Sequence, residues 1–270
     1  MKNFIAPLLP PSIRRRVMPD WVRPAVVGVV RLNGVIGAVS PLRGGIDLAS
    51  VANALETAFK LRGVKAVALL INSPGGSPVQ SSLIFKRIRA LAAEENVPVY
   101  AFAEDVAASG GYMLACAADE IYADDSSIIG SIGVISAGFG FTGLIEKLGV
   151  ERRVHTSGES KAQLDPFRPE NPEDIARLLE LQSEVHESFK ELVRKSRGER
   201  LGKDDDLFTG AFWAASGALS RGLIDGIGDL RSSMRERFGK EVKLRVVSDK
   251  KPFWQRRIGL TSNHVPDHLG

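Results

Sequence analysis

Apolar residues recur along this chain in two alternating rhythms. Residues 26–32 form a β-branched run that ends at Asn33-Gly34, which predicts a strand followed by a turn. From Asp47 onward, Val51, Leu55, Ala58, Phe59 and Leu61 return at helical spacing until Gly63 stops them. Residues 65–71 predict a second strand, and the unbroken Val67-Ala68-Leu69-Leu70-Ile71 within it predicts burial on both faces, as in a parallel sheet. After the turn Asn72-Ser73-Pro74-Gly75-Gly76, Leu83, Ile84, Ile88 and Leu91 line one side of another helix, and residues 97–102 read as a third strand. Strands alternating with helices at this cadence predict an α/β layered architecture with a mostly parallel sheet.

The later chain is less regular. A short apolar helix is expected over 109–118, strands near 120–123, 131–135 and 150–154, and a helix ending at Gly149. Periodicity then disappears over 156–171, a polar stretch with two prolines that reads as a long loop, and loops of that length in compact domains are commonly functional. Pro172 opens a long helix that carries Ile175, Leu178, Leu179, Val185, Phe189, Leu192 and Val193 on one apolar face. No change of composition marks a second domain.

With 270 residues and 44% apolar content the chain can bury a substantial core. A single cysteine, Cys116, excludes an intrachain disulfide framework and a cysteine-based zinc site, and four histidines make a His-rich metal centre improbable. No apolar run is long enough to cross a bilayer, and the prolines and arginines of the first 16 residues reverse the order of a secretory signal. The chain therefore reads as unexported and cytoplasmic. Its charge is uneven. Residues 1–24 carry five basic groups against Asp20, residues 240–257 seven against two, and the middle is mildly acidic. A nucleic-acid protein more often carries a basic stripe through its folded body, so none is expected as a partner. The ends read as solvated arms. Attraction to an anionic membrane surface is the sharper alternative, because Trp21, Phe253 and Trp254 stand among those charges.

Two glycine-containing turns follow two adjacent predicted strands: the one ending in Gly75-Gly76, and Ala107-Ala108-Ser109-Gly110-Gly111. In an open α/β sheet both should face one crevice at the strands' carboxyl ends. Gly-Gly lets main-chain N–H groups approach a developing oxyanion. Ser109 has two readings there, a helix N-cap or a nucleophile. A nucleophilic serine needs a base. No histidine lies between Ser109 and His155, and His155 has no obvious aspartate to orient it. The remaining candidate is Lys161 in the aperiodic loop, which composition alone would make a solvated surface residue.

The combination resembles peptidase family S49, the signal peptide peptidase A and SohB-like serine peptidases of the ClpP/crotonase fold group. The resemblance rests on residues 70–76, on Val106 to Tyr112 with Ala115-Cys116-Ala117-Ala118-Asp119 behind it, and on Ile129-Gly130-Ser131-Ile132-Gly133-Val134. Gly158 to Lys161 with Pro166-Phe167 is similar to the family's lysine loop, and Thr209-Gly210 and Gly222-Leu223-Ile224-Asp225 to its C-terminal signature. It implies a repeated β-β-α superhelix, with Ser109 as nucleophile, Lys161 as general base, Ser131 orienting the lysine, and the N–H groups of Gly75 (second choice Gly76) and Gly110 as oxyanion hole. No metal or cofactor is implied. One departure stands in the lysine loop: the family's glycine and aromatic before the lysine are Glu159-Ser160 here, and a carboxylate facing the amine favours its charged form.

By the same resemblance, substrates would be hydrophobic peptides such as signal-peptide remnants, extended beside the Gly75-Gly76 edge, and the active form a homo-oligomer in which the lysine can come from a neighbouring copy. The family's usual membrane anchor is not seen in this sequence, which leaves the basic ends as candidate peripheral attachment at the inner membrane surface. The expected division is a basic arm over 1–24, a catalytic body over 25–239, and a basic strand and tail over 240–270. Two other readings stay open: a catalytically weak scaffold that partners membrane proteins, and a crotonase-like acyl-CoA enzyme, although neither turn carries the glutamate that chemistry needs.

Overall fold

A computed structural model of the chain describes residues 24–37 and 45–247. In chain order its elements are β1 (Val26–Asn33), α1 (Leu48–Phe59), β2 (Val64–Ser73), α2 (Pro78–Glu95), β3 (Val99–Ala108), α3 (Gly110–Ala115), β4 (Glu120–Ala123) and β5 (Ile128–Gly130). There follow α4 (Thr142–Lys147), a 3-10 turn (Glu159–Ala162), α5 (Pro172–Arg197) with a 3-10 turn after it, β6 (Phe212–Trp213), α6 (Ala215–Ser220), β7 (Gly226–Ile227), α7 (Leu230–Phe238) and β8 (Lys243–Val247).

The helix starts are written locally. Asp47 accepts from Ser50 N–H while the Ser50 hydroxyl faces back, a reciprocal cap for α1. Ser77 accepts from Gln80 N–H and Pro78 fills the first helical position of α2. Such caps are worth about 1 kcal/mol each.

The strands form one sheet in the order β6-β5-β3-β2-β1-β8, with β4 and β7 branching from the edge of β3 beside β5. Every pairing is parallel except β5 with β6. The unbroken apolar run in β2 is used on both faces, as its lack of alternation predicts. Val67, Leu69 and Ile71 pack into the large core beneath the helices, and Ala66 and Ala68 into a smaller core shared with Leu230 and Met234 of α7. β8 pairs with β1 from Val26↔Lys243 to Val30↔Val247, so the sheet continues past residue 240. Residues 1–23 and 248–270, with Trp21, Phe253 and Trp254, lie outside the described residues.

Two expected strands are absent. Residues 131–135 run without regular structure, because β5 already ends at Gly130, and Gly130 and Ser131 adopt φ of 113° and 54° that no strand can continue through. Residues 150–154 likewise have no strand partner among the described residues, and a segment with nothing to pair with forms no sheet.

The stretch from 134 to about 185 stands apart from this core. Ile135 is 86% and Phe139 81% exposed, and Leu144, Leu148, Val150, Leu164, Leu179 and Leu181 are exposed as well. Only the last third of α5 is buried, through Phe189, Val193 and Arg197. Among the described residues no helix is long and apolar enough to cross a membrane.

Candidate active site

The site begins with register. Ala108 of β3 pairs with Gly130 of β5, and Ser73 of β2 pairs with Ala107, so the three strands end side by side. Ser109 follows one strand and Ser131 its neighbour, on backbones about 4.8 Å apart. Ser109 N–H donates to Gly130 O at 2.8 Å, and Ser109 O accepts from Met113 N–H at 3.0 Å. The serine is thereby pinned between sheet and helix with φ 51° and ψ −122°, a conformation that costs a non-glycine residue about 1–3 kcal/mol and persists only where its surroundings enforce it.

Its side chain makes no capping hydrogen bond to α3. The hydroxyl therefore does not serve as a cap for that helix. Gly110, first in α3, has no carbonyl within the helix for its N–H to reach. Gly75 has φ +102°, and a Cβ there would lie 2.8 Å from both Gly110 N and Ser109 Cβ. The two glycine turns thus meet in one crevice, as their places after adjacent strands predict. At Gly111 any side chain would strike Ser73 O, which closes α3 against the end of β2. Gly75 N–H donates to the buried Ser73 Oγ at 3.2 Å.

Ser131 N–H donates to Ala211 O at 2.7 Å, fixing the residue from the β6 side. Gly75, Ser109, Gly110 and Ser131 therefore come together. Lys161 is not joined to them. It is exposed in the 3-10 turn, its N–H reaches Gly158 O at 3.3 Å, and its amine makes no hydrogen bond or ion pair with any described residue. The Glu159 side chain lies outside what is described. Beside the lysine loop, Phe139, Phe141, Leu164, Ile175 and Leu178 line a cavity of about 700 Å³ that does not include Ser109.

Two features escaped the sequence reading. His186 of α5 bonds Ile132 O through Nε2 at 3.0 Å, which makes Nε2 the protonated nitrogen and ties the helix to the segment after Ser131. Its spacing of three from Phe189 and seven from Val193 was the available signal, a histidine in phase with the buried face of a helix.

The second is a polar clamp behind α3. Tyr112 donates to Leu223 O at 2.7 Å, and Ser196 Oγ to Cys116 O at 2.6 Å. Arg197, its side chain 0% exposed, donates to both oxygens of Asp225 at 2.8 and 2.9 Å and to Gly222 O at 2.8 Å. Burial pushes the Asp225 carboxyl up, but the Arg197 fork, the Ile121 N–H and the charges of Arg197 and Arg200 prevail and hold it below its ordinary value. The same burial pushes the Cys116 thiol up to about 12.

Residues 92–244 match the model of peptidase family S49, more than half of the chain. The chain belongs to that family. Over 202 residues it is 34% identical to the chloroplastic serine protease SPPA of Arabidopsis thaliana, a match over 72% of this chain and 30% of that protein. A protein of Brucella abortus named a Na(+)/H(+) antiporter is 51% identical over 272 residues, which is 96% of this chain and 37% of that protein. The chain thus spans about a third of the length of these two relatives. A lysine-to-alanine variant of the 1510-N membrane-bound stomatin-specific protease, solved with a substrate peptide, shares the fold at a TM-score of 0.52 and 14% identity over 85% of this chain and 94% of that one.

Proposed function

We propose that this S49 member is a serine endopeptidase that cleaves hydrophobic peptides with a Ser109–Lys161 dyad. The observation that carries this is Ser109 itself, held in a strained left-handed conformation where its hydroxyl caps nothing, with Gly110 next in the chain and Gly75 packed against both. The neutral lysine amine takes the hydroxyl proton as Ser109 attacks a peptide carbonyl, and returns it to the leaving amine; water then hydrolyses the acyl-enzyme. Gly75 and Gly110 N–H groups receive the oxyanion, and Ser131 orients the lysine. Ile36 already occupies one edge of the Gly75-Gly76 turn, its N–H donating to Gly75 O and its carbonyl accepting from Ser77 N–H at 2.8 Å each, so the substrate strand lies on the Ser109 side.

The active form is a homo-oligomer in which Lys161 serves the Ser109 of a neighbouring copy. Its exposure in the lone chain supports this, as do the uncovered apolar side chains of the segment that carries it. In this reading the chain divides into a basic arm (1–24), a catalytic body (25–239) and a basic strand and tail (240–270) whose β8 joins the body's sheet, with the basic ends as attachment to the inner membrane surface of a cytoplasmic enzyme. The peptidase-family match falls within the stretch shared with the antiporter-named relative, so that stretch supports peptide hydrolysis rather than transport.

The test is mass spectrometry of the intact protein after a serine-directed phosphonate. A Ser109 adduct is expected in the wild type and its loss in Lys161→Ala. Equal labelling of Lys161→Ala would remove the lysine from the mechanism, and no labelling of the wild type up to about pH 9 would leave the scaffold reading.

A further inference from the structure

The lysine loop departs from the family pattern just before Lys161, where a serine stands instead of an aromatic ring. In the structure that serine has a partner. Arg177 donates from Nη1 to Ser160 Oγ at 2.9 Å. On the other side of the lysine, Leu164 N–H donates to Asp174 Oδ2 at 3.4 Å, and Leu164 itself holds a left-handed φ of 55°. Asp174 and Arg177 are three apart on α5 and so project from one face. Two side chains of one helical turn therefore grip the loop on either side of Lys161.

That turn is well anchored. α5 starts on Asn171, whose side chain accepts from Glu173 N–H, with Pro172 at its first position. The far end of the same helix carries Ser196 and Arg197, which hold α3 and the 222–225 turn behind the nucleophile. One continuous 26-residue helix thus touches the base's loop at one end and the nucleophile's helix at the other.

We infer that Arg177 is a positioning residue for Lys161: its bond to Ser160 fixes the residue next to the lysine, and α5 transmits the placement. This rests on Lys161 being the general base. The Arg177 and Ser160 side chains are exposed, so removing either leaves the fold intact.

The experiment is a double-mutant cycle on kcat for an apolar peptide ester, with Arg177→Ala, Ser160→Ala and the pair, beside Lys161→Ala. Each single variant is expected to lower kcat about three- to tenfold with KM and thermal midpoint unchanged, as loss of one hydrogen bond at a positioned group would. The pair should be no slower than either alone, because both remove the same contact. A structural role of either residue alone would not give that non-additivity. Wild-type kcat in both singles, or additive losses, overturns the tether while an inactive Lys161→Ala leaves the dyad standing. An active Lys161→Ala overturns the dyad, and the tether with it.

Discussion

The two halves of the proposed dyad sit in opposite kinds of structure. Ser109 belongs to the sheet: its backbone is bonded on both sides, its neighbours are buried, and its unusual torsions are enforced by β3, β5 and α3 together. Lys161 belongs to a segment whose apolar side chains face outward and whose holds are polar contacts from α5, the Arg152–Asp165 pair and the Phe167 ring against Phe141 and Arg152. A nucleophile needs a strained and repeatable geometry, which only a packed interior can hold. The base needs proximity and desolvation, and those can be supplied from outside by another copy. The contrast predicts a chain that makes half an active site perfectly well by itself and waits for the rest.

Mixing tests this contrast with the largest effect. Ser109→Ala and Lys161→Ala should each be at least about a thousandfold slower than wild type, while an equal mixture reassembled together should recover about a quarter of the sites if neighbouring copies complete each other. No recovery would put both residues in one chain. Within the body, Asp225→Asn leaves the buried Arg197 unpaired and is expected to cost about 3–5 kcal/mol of stability, read by denaturant melts. Because the folded Asp225 carboxyl lies below its ordinary value, its contribution is present above about pH 4 and vanishes as pH falls through the folded value. The variant should lack that part of the acid loss.

Gly75→Ala forces a methyl group against Ser109 and Gly110 and should lower kcat by about 10²–10³ while the protein stays folded; near-normal turnover would move the oxyanion donor to Gly76. The smallest effect on folding is expected in the outward stretch from 134 to about 185. Phe139→Asp should shift the thermal midpoint hardly at all, within about 0.5 kcal/mol, yet lower the mass measured by light scattering and the activity with it. A large melting shift there would mean that this stretch packs on its own body.

How much of this was legible in the residues follows the same divide. The β2 run and the helical spacings announced the sheet and its crossovers, because within a packed body each local pattern serves the structure it sits in. Both glycine turns were readable as one crevice because parallel strands end together. Residues 131–135 and 150–154 misled, since apolar character marks a wish for burial without saying whether the cover comes from this chain or another. The Arg197–Asp225 clamp, 28 positions apart, had no local signature at all. His186 could have been found by its helical phase, and Arg177 could not, because an exposed arginine in the second turn of α5 looks like solvent-facing charge until its serine partner is seen.

The lone cysteine has a practical consequence. Cys116 is buried at the end of α3 and burial pushes its thiol up to about 12, so maleimides should leave it unlabelled in the native protein. Any thiol introduced on the outward segment would be the sole reactive thiol per chain, and crosslink yields between designed pairs would map, ångström by ångström, the reach proposed between copies.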